Sequence, residues 1–332
     1  MDVDELKAAI SQLSEDERKR LLRDINFEHF SKGSYLEDAL EDQEKNVPHK
    51  CPSCGSLNIW SRGSYKGVKR LQCKDCSKYF SSTSGTAIYH IHNKEKWQSY
   101  VQCMRKGLSL RQSAAEVGIC LQTAFNWRHK ILSGLSDVEP DQFTGIVEAD
   151  ELYFAFSEKG KRNLKRPARK RGGSANKTLK ENKFGVLVTT DRSGKKMAKA
   201  VGRGTMKMKE LTEALTGKVD KSAILCTDSY RGYKALAESE GFKHIAVSAL
   251  GKPTQKNKAF HIQTVNSVHN TLRQFLDRYR GVSSKYLQNY LYWFIASNDK
   301  KIKEVEKLKL WLWLSMTTEA LMILDKLKDS AL

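Results

Sequence analysis

Two aspartates stand where a metal could bind. Asp150 follows the apolar run "GIVEA", and Asp228 follows "AILCT". Both read as strand or strand-end residues, and paired carboxylates at neighbouring strand positions suit divalent cations. Hard oxygen donors hold Mg²⁺, and two such ions can activate a water or a 3′-hydroxyl and stabilise a leaving oxygen. A lone strand-end aspartate is usually a turn or cap residue, so the pair is what points to chemistry. Glu148 and Glu151 flank Asp150. Alternation is taken to put both on the face opposite Asp150, which makes them weaker candidates.

A second constellation is Cys51, Cys54, Cys73 and Cys76, read as Cys-x2-Cys, eighteen residues, Cys-x2-Cys. Each pair forms a tight knuckle, and two knuckles aim four thiolates at one point. Such a Zn²⁺ site has no open position and is structural. A thioredoxin-like redox pair is the alternative, but no surrounding βαβ pattern supports it. The intervening residues alternate around "RGSYKG", as a hairpin would. Arg62, Lys66, Lys69 and Arg70 on that hairpin either touch phosphate or form a solvated face. Cys103, Cys120 and Cys226 sit singly in apolar contexts and read as small core residues.

Charge narrows the partner. The chain has 332 residues and a formal net charge of +20. Residues 1–50 hold 8 Lys/Arg against 13 Asp/Glu, a net of −5, so the remainder carries +25. That excess points to a polyanion, most simply nucleic acid. The opening "MDVDELKAAISQL" is acidic and amphipathic, unlike a signal peptide. The tracts "YLYWFIA" and "LKLWLWLSM" are too short to span a bilayer. A cytoplasmic protein with no membrane partner is expected.

The elements that must position these residues follow from periodicity. Residues 1–30 read as one or two amphipathic helices and 31–47 as an acidic linker; the zinc ribbon spans 48–84. Over 85–137 the pattern gives a helix near 94–106, a second capped by Ser109, a turn at Gly118 and a third helix over 121–132. Two short helices joined across a Gly turn fit a helix-turn-helix. Gln122, Thr123, Asn126, Arg128 and Lys130 would then lie on or near its groove-facing surface. A plain helical connector is the bland alternative. From 138 to 298 the order is β, β, β, α, β, α, β, α, which argues a mixed sheet with helices packed on it, the order of ribonuclease H-like domains. Between the first two strands, residues 157–183 carry eleven Lys/Arg and read as a phosphate-gripping loop or a solvated tract. Tyr286, Tyr290, Trp293 and Phe294 line an apolar helical stripe suited to core packing. Residues 299–332 read as C-terminal helices. The fold class is α+β multidomain, a small ribbon and helix-turn-helix before an RNase H-like catalytic domain.

The motifs "CPSCGS", "CKDCSKYFSSTSGTAIYH", "VEADELYF", "TDSYRGY" and the helix at 261–273 together resemble an insertion-sequence transposase of the aspartate–aspartate–glutamate superfamily. The resemblance covers residues 50 to 298 and is to the bacterial branch with an N-terminal zinc ribbon. It implies cleavage at transposon ends and strand transfer, with a two-Mg²⁺ site and structural Zn²⁺. It also implies double-stranded DNA partners (terminal inverted repeats and target), a homodimer or larger assembly on DNA, and a nucleoid location.

The resemblance places a third metal-site residue, commonly Glu, on the helix after strand five, with a basic residue seven positions on. The pattern His, two residues, Thr, an aliphatic, then the acid reads here as His261, Thr264, Val265, Asn266, and the basic residue as Arg273. Asn266 offers a neutral oxygen to Mg²⁺ but cannot be a general base. His269, one turn on, is the rival candidate, as a nitrogen ligand or a contact to DNA or water. The other possibility is that both are ordinary surface residues on a catalytically dead, DNA-binding regulator.

Overall fold

The structure, a computed structural model, describes residues 50–65, 68–84, 86–135, 140, 142–164, 182–247 and 259–298. The expected N-terminal and C-terminal helices, the acidic linker, Lys66 and most of the basic loop lie outside the described residues. The chain divides into two compact units between Gly134 and Leu135.

The first unit begins with a three-stranded antiparallel sheet, β1 (Ile59–Tyr65), β2 (Val68–Cys73) and β3 (Tyr79–Ser81), in that order. Leu71 and Cys73 face inward, at 2% and 1% exposed. Three helices follow: α1 (Trp97–Arg105), α2 (Leu110–Val117) and α3 (Leu121–Ser133). Each boundary has a local cause. Ser109 and Gln112 close a capping box at the start of α2, and Gly118 ends it in the left-handed region at φ 65°. Trp97, Tyr100 and Trp127 meet edge-on in the core of these helices.

One residue of α3 departs from expectation. Arg128, expected on or near the groove-facing surface, is 1% exposed. Its Nη2 donates to the Leu108 carbonyl at 2.7 Å and to Ser113 Oγ at 3.3 Å. The guanidinium satisfies a carbonyl just before α2 that no helix bond reaches, so it is consumed in holding α2 to α3. Lys130 is half-buried and donates to the Tyr89 carbonyl at 3.1 Å. Gln122 and Asn126 are exposed and hydrogen-bonded to each other, and Thr123 is half-buried.

The second unit is a five-stranded mixed sheet. Its strands are β4 (Ile146–Ala155), β5 (Lys183–Asp191), β6 (Lys196–Arg203), β7 (Ile224–Thr227) and β8 (Lys243–Ala246), ordered β6-β5-β4-β7-β8. The first three form an antiparallel meander, while β7 and β8 run parallel to β4. Parallel neighbours need crossovers, supplied by α4 (Met208–Leu215) and α5 (Arg231–Glu240). These pack on one face against Val147, Ala149, Leu187, Met197 and Leu225. On the other face lie α6 (Gln263–Asp277), against β4 and β5, and α7 (Leu287–Asn298), against β6. Tyr290, Trp293 and Phe294 are buried, as the stripe predicts. The order and directions match the mixed sheet with packed helices that the sequence pattern predicts.

A buried carboxylate joins α6 to the sheet. No side chain at the N-cap, Ile262, caps α6. Glu148 of β4, 1% exposed, does so instead: Oε2 accepts from the Val265 amide at 2.9 Å and Oε1 from Thr264 Oγ1 at 2.8 Å. Arg192, just past β5, pairs with Oε1 at 2.7 Å and also reaches Thr264 Oγ1 and the Ala259 carbonyl. His261 Nδ1 lies 3.4 Å from the same oxygen. An anion at a helix N-terminus also meets the positive end of its dipole.

Two substitutions test these internal ties. Glu148→Ala should cost about 2–4 kcal/mol, because it strands Arg192 and the Val265 amide. Arg128→Ala should cost about 1–3 kcal/mol through the orphaned Leu108 carbonyl. Thermal melts of each variant measure both; wild-type stability in either would show the tie to be idle.

Candidate active site

The parallel register pairs Val147 with Leu225 and Glu148 with Cys226. Continued two residues, it sets Asp228 level with Asp150, just past the end of β7. The two carboxylates therefore converge because the strands that carry them are hydrogen-bonded neighbours, as expected. Local bonds aim each one. Asp150 Oδ1 accepts from the Glu151 amide at 2.9 Å. Asp228 Oδ1 accepts from the Tyr230 amide at 2.9 Å, a turn that ends the strand and launches α5. Gly232 in "TDSYRGY" leaves room for the Tyr230 ring, which a Cβ there would meet at 2.5 Å and push aside.

A third carboxylate joins them. Oxygens of Asp150, Glu151 and Asp228 all lie within 4.8 Å of one another. Glu151 does point to the opposite face, toward α5, where the buried Tyr233 hydroxyl donates to its Oε1 at 2.8 Å. Because β7 stops at Thr227, its long side chain still reaches the group. The reading of Glu148 needs correcting. Two residues is a full strand period, so Glu148 shares the face of Asp150, and it is held by α6 rather than left spare.

Crowding acids in a half-buried place raises their proton affinity. Burial, reinforced by the charge of Asp228, pushes Asp150 from an ordinary 3.8 to about 6. Burial likewise pushes Glu151 from 4.5 to about 7, against the Tyr233 hydrogen bond, with both neighbouring aspartates adding to the rise. Among the described residues no Lys or Arg pairs with the three; the nearest basic group is His269, whose Nδ1 lies 3.8 Å from Asp150 Oδ2. His269 is 5% exposed. Burial and the charge of Arg273 lower it to about 4, so it is neutral at pH 7 and offers no countercharge. Three oxygen donors that repel one another and lack a cationic partner are a donor set suited to a hard divalent cation.

The helical candidates occupy one stretch of α6. His269 turns its ring to Asp150 and away from the surface. Asn266, one turn earlier, and Arg273, one turn later, are both exposed. Glu148 fixes the position of all three along β4, through His261, Thr264 and Val265.

The four cysteines also gather. Cys51 and Cys76 sulfurs are 3.5 Å apart, as are those of Cys54 and Cys73, and all four lie within 4.8 Å. Zinc–sulfur bonds of about 2.3 Å would put tetrahedral sulfurs roughly 3.8 Å apart, so the cluster fits. The residue after each knuckle, Gly55 or Ser77, is left-handed, at φ 73° and 60°.

The family comparison falls on the second unit. A family described as the ISXO2-like transposase domain matches residues 142–294. A protein of Halobacterium salinarum, described as an uncharacterized protein in transposable element ISH50, is 30% identical over 250 residues. That match spans 73% of this chain and 82% of that protein. Among solved structures, a pre-cleavage Mos1 transpososome matches at 12% identity over 62% of this chain and 79% of that one, with a TM-score of 0.24. The Mos1 mariner paired end complex with Mn matches over the same shares, at 14% identity and a TM-score of 0.24. With its paired aspartates inside the matched region and a relative of this extent in a transposable element, the chain belongs to the ISXO2-like transposase family.

Proposed function

We propose that the protein is a Mg²⁺-dependent DNA transposase that cleaves at the ends of its element and transfers the freed strand to target DNA. The observation that carries this is the convergence of Asp150 and Asp228 on adjoining parallel strands, inside the region that matches the family. Asp150 and Asp228 would hold the metals from the sheet. Asn266 would approach from α6 as a neutral oxygen ligand, and Arg273 would contact the phosphate at the reacting bond. Divalent cations there would lower the pKa of a water or 3′-hydroxyl and neutralise charge on the leaving oxygen. Neutral His269, its Nδ1 3.8 Å from Asp150 Oδ2, would limit the room that carboxylate has to turn. Glu151 supplies the third negative charge that Asn266 does not, steadied by Tyr233.

The cysteine cluster would hold a structural Zn²⁺. Gln122, Thr123 and Asn126 at the start of α3 would read the terminal inverted repeats, with Lys130 on the backbone. A DNA-binding regulator without catalysis is the second reading, favoured by the neutral, exposed Asn266.

Strand transfer from a terminal-repeat duplex in Mg²⁺ separates the two readings. Asp228→Ala should lower it about 100-fold or more; undiminished transfer would sink the assignment. Asn266→Ala should also lose activity and Asn266→Glu retain it, whereas an Ala variant equal to wild type would remove Asn266 from the ligand set.

The raised carboxyls give a pH test. Because Asp150 and Glu151 bind protons more tightly folded than unfolded, together they should lower the stability of the metal-free protein as pH rises from about 4 to about 7, offset in part by His269, which binds its proton less tightly folded. Added Mg²⁺ or Mn²⁺ should restore the melting temperature, by more at pH 7 than at pH 5. An Asp150→Asn, Glu151→Gln double variant should lose that fall with pH, leaving the opposite rise that buried His269 produces, and should show no metal-induced shift; a metal-induced shift of wild-type size in it would contradict the site.

A further inference from the structure

We propose that the outer face of the β1-β2-β3 sheet binds single-stranded DNA by stacking unpaired bases on Trp60 and Tyr79. Cross-strand pairing sets Trp60 opposite Gln72 and Gln72 opposite Tyr79, so the three side chains form one row across the sheet. The inward face is already used by Leu71 and Cys73. On the outer face Trp60 is 48% exposed and Tyr79 62%. Strand spacing puts their attachment points roughly 10 Å apart, so two different bases of one strand could reach the two rings.

Charge is assembled around the same row. The Arg62 guanidinium lies 4.7 Å over the Trp60 ring, and Lys74 Nζ lies 5.7 Å from its centre. Gln72 Oε1 accepts from Arg62 Nε at 2.9 Å, which holds the guanidinium against the indole, so a base reaching Trp60 would stack on that cation or displace it toward the strand's phosphates. Phosphate contacts to a duplex need cations but no flat apolar rings, and paired bases keep their faces inside the stack. Exposed rings flanked by cations suit a strand whose bases are free to stack, with Arg62 and Lys74 meeting its backbone. The chain's net charge of +20 complements such a polyanion.

The proposal takes from the transposase reading only that the polyanion is DNA, and its test needs neither turnover nor Mg²⁺. Fluorescence anisotropy of the zinc-loaded full chain would compare a labelled 12-mer as single-stranded DNA, as duplex and as RNA. Trp60→Leu and Tyr79→Leu should each weaken single-strand binding about 5-fold or more while duplex binding changes little. The dependence of affinity on salt should keep its slope, since no charge is removed. Trp60→Phe should recover most of the loss. Unchanged single-strand affinity in both Leu variants, an equal loss on duplex, or tighter binding of the RNA would overturn the proposal. Because both side chains are exposed, the variants should melt like wild type.

Discussion

Much of the second unit hangs on one buried carboxylate. Glu148 is nearly inaccessible, yet it meets an arginine, a hydroxyl, a backbone amide and an imidazole at once. A buried charge is tolerated only when its lone pairs are satisfied to this degree. Its partners come from β5's end and from the start of α6, so one anion ties three separate pieces of chain. The catalytic-site candidates of α6 inherit their positions from that tie. His269 reaches Asp150 because Val265, four residues before it, is pinned two residues before Asp150 on the same face of β4.

At the candidate metal site the logic is reversed. Asp150, Glu151 and Asp228 are brought together and left without cations of their own among the described residues. Glu148 shows that this sheet can supply an arginine to a carboxylate where one is needed. Two positions along the same strand, none is supplied. Repulsion left standing in the free protein is what a binding site for a divalent cation requires, since stored electrostatic cost is released on binding.

Much of this was legible in the sequence. Short apolar runs and Gly turns put β4 to β8 and α4 to α6 in their observed order, because period and punctuation are local signals. The cysteine spacing likewise foretold the four-sulfur cluster. What sequence could not show was where side chains end. Arg128 looked like a surface cation on a recognition helix, but the Leu108 carbonyl that takes it lies twenty residues away. Glu151 looked misplaced on the wrong face, and only the early end of β7 lets it reach Asp228. Glu148 was within reach of sequence reasoning, since parity alone puts it beside Asp150. The segment "HIQTV" then makes sense as its binding partner, with His261, Thr264 and Val265 each answering to one carboxylate.

The borrowed cap on α6 also bears on how the domain is assembled. A helix that lacks a start signal of its own nucleates poorly in isolation. The group that supplies this one is 117 residues earlier in the chain. Contacts of such long separation form late and slow folding. The acidic half of the site is carried by β4 and β7 as neighbours, whereas the half carrying Asn266, His269 and Arg273 gains its cap only when α6 docks on β4. The helical side of the site is therefore completed only once the strand that caps it is in place, so a chain released incomplete can hold the acids without α6 set beside them.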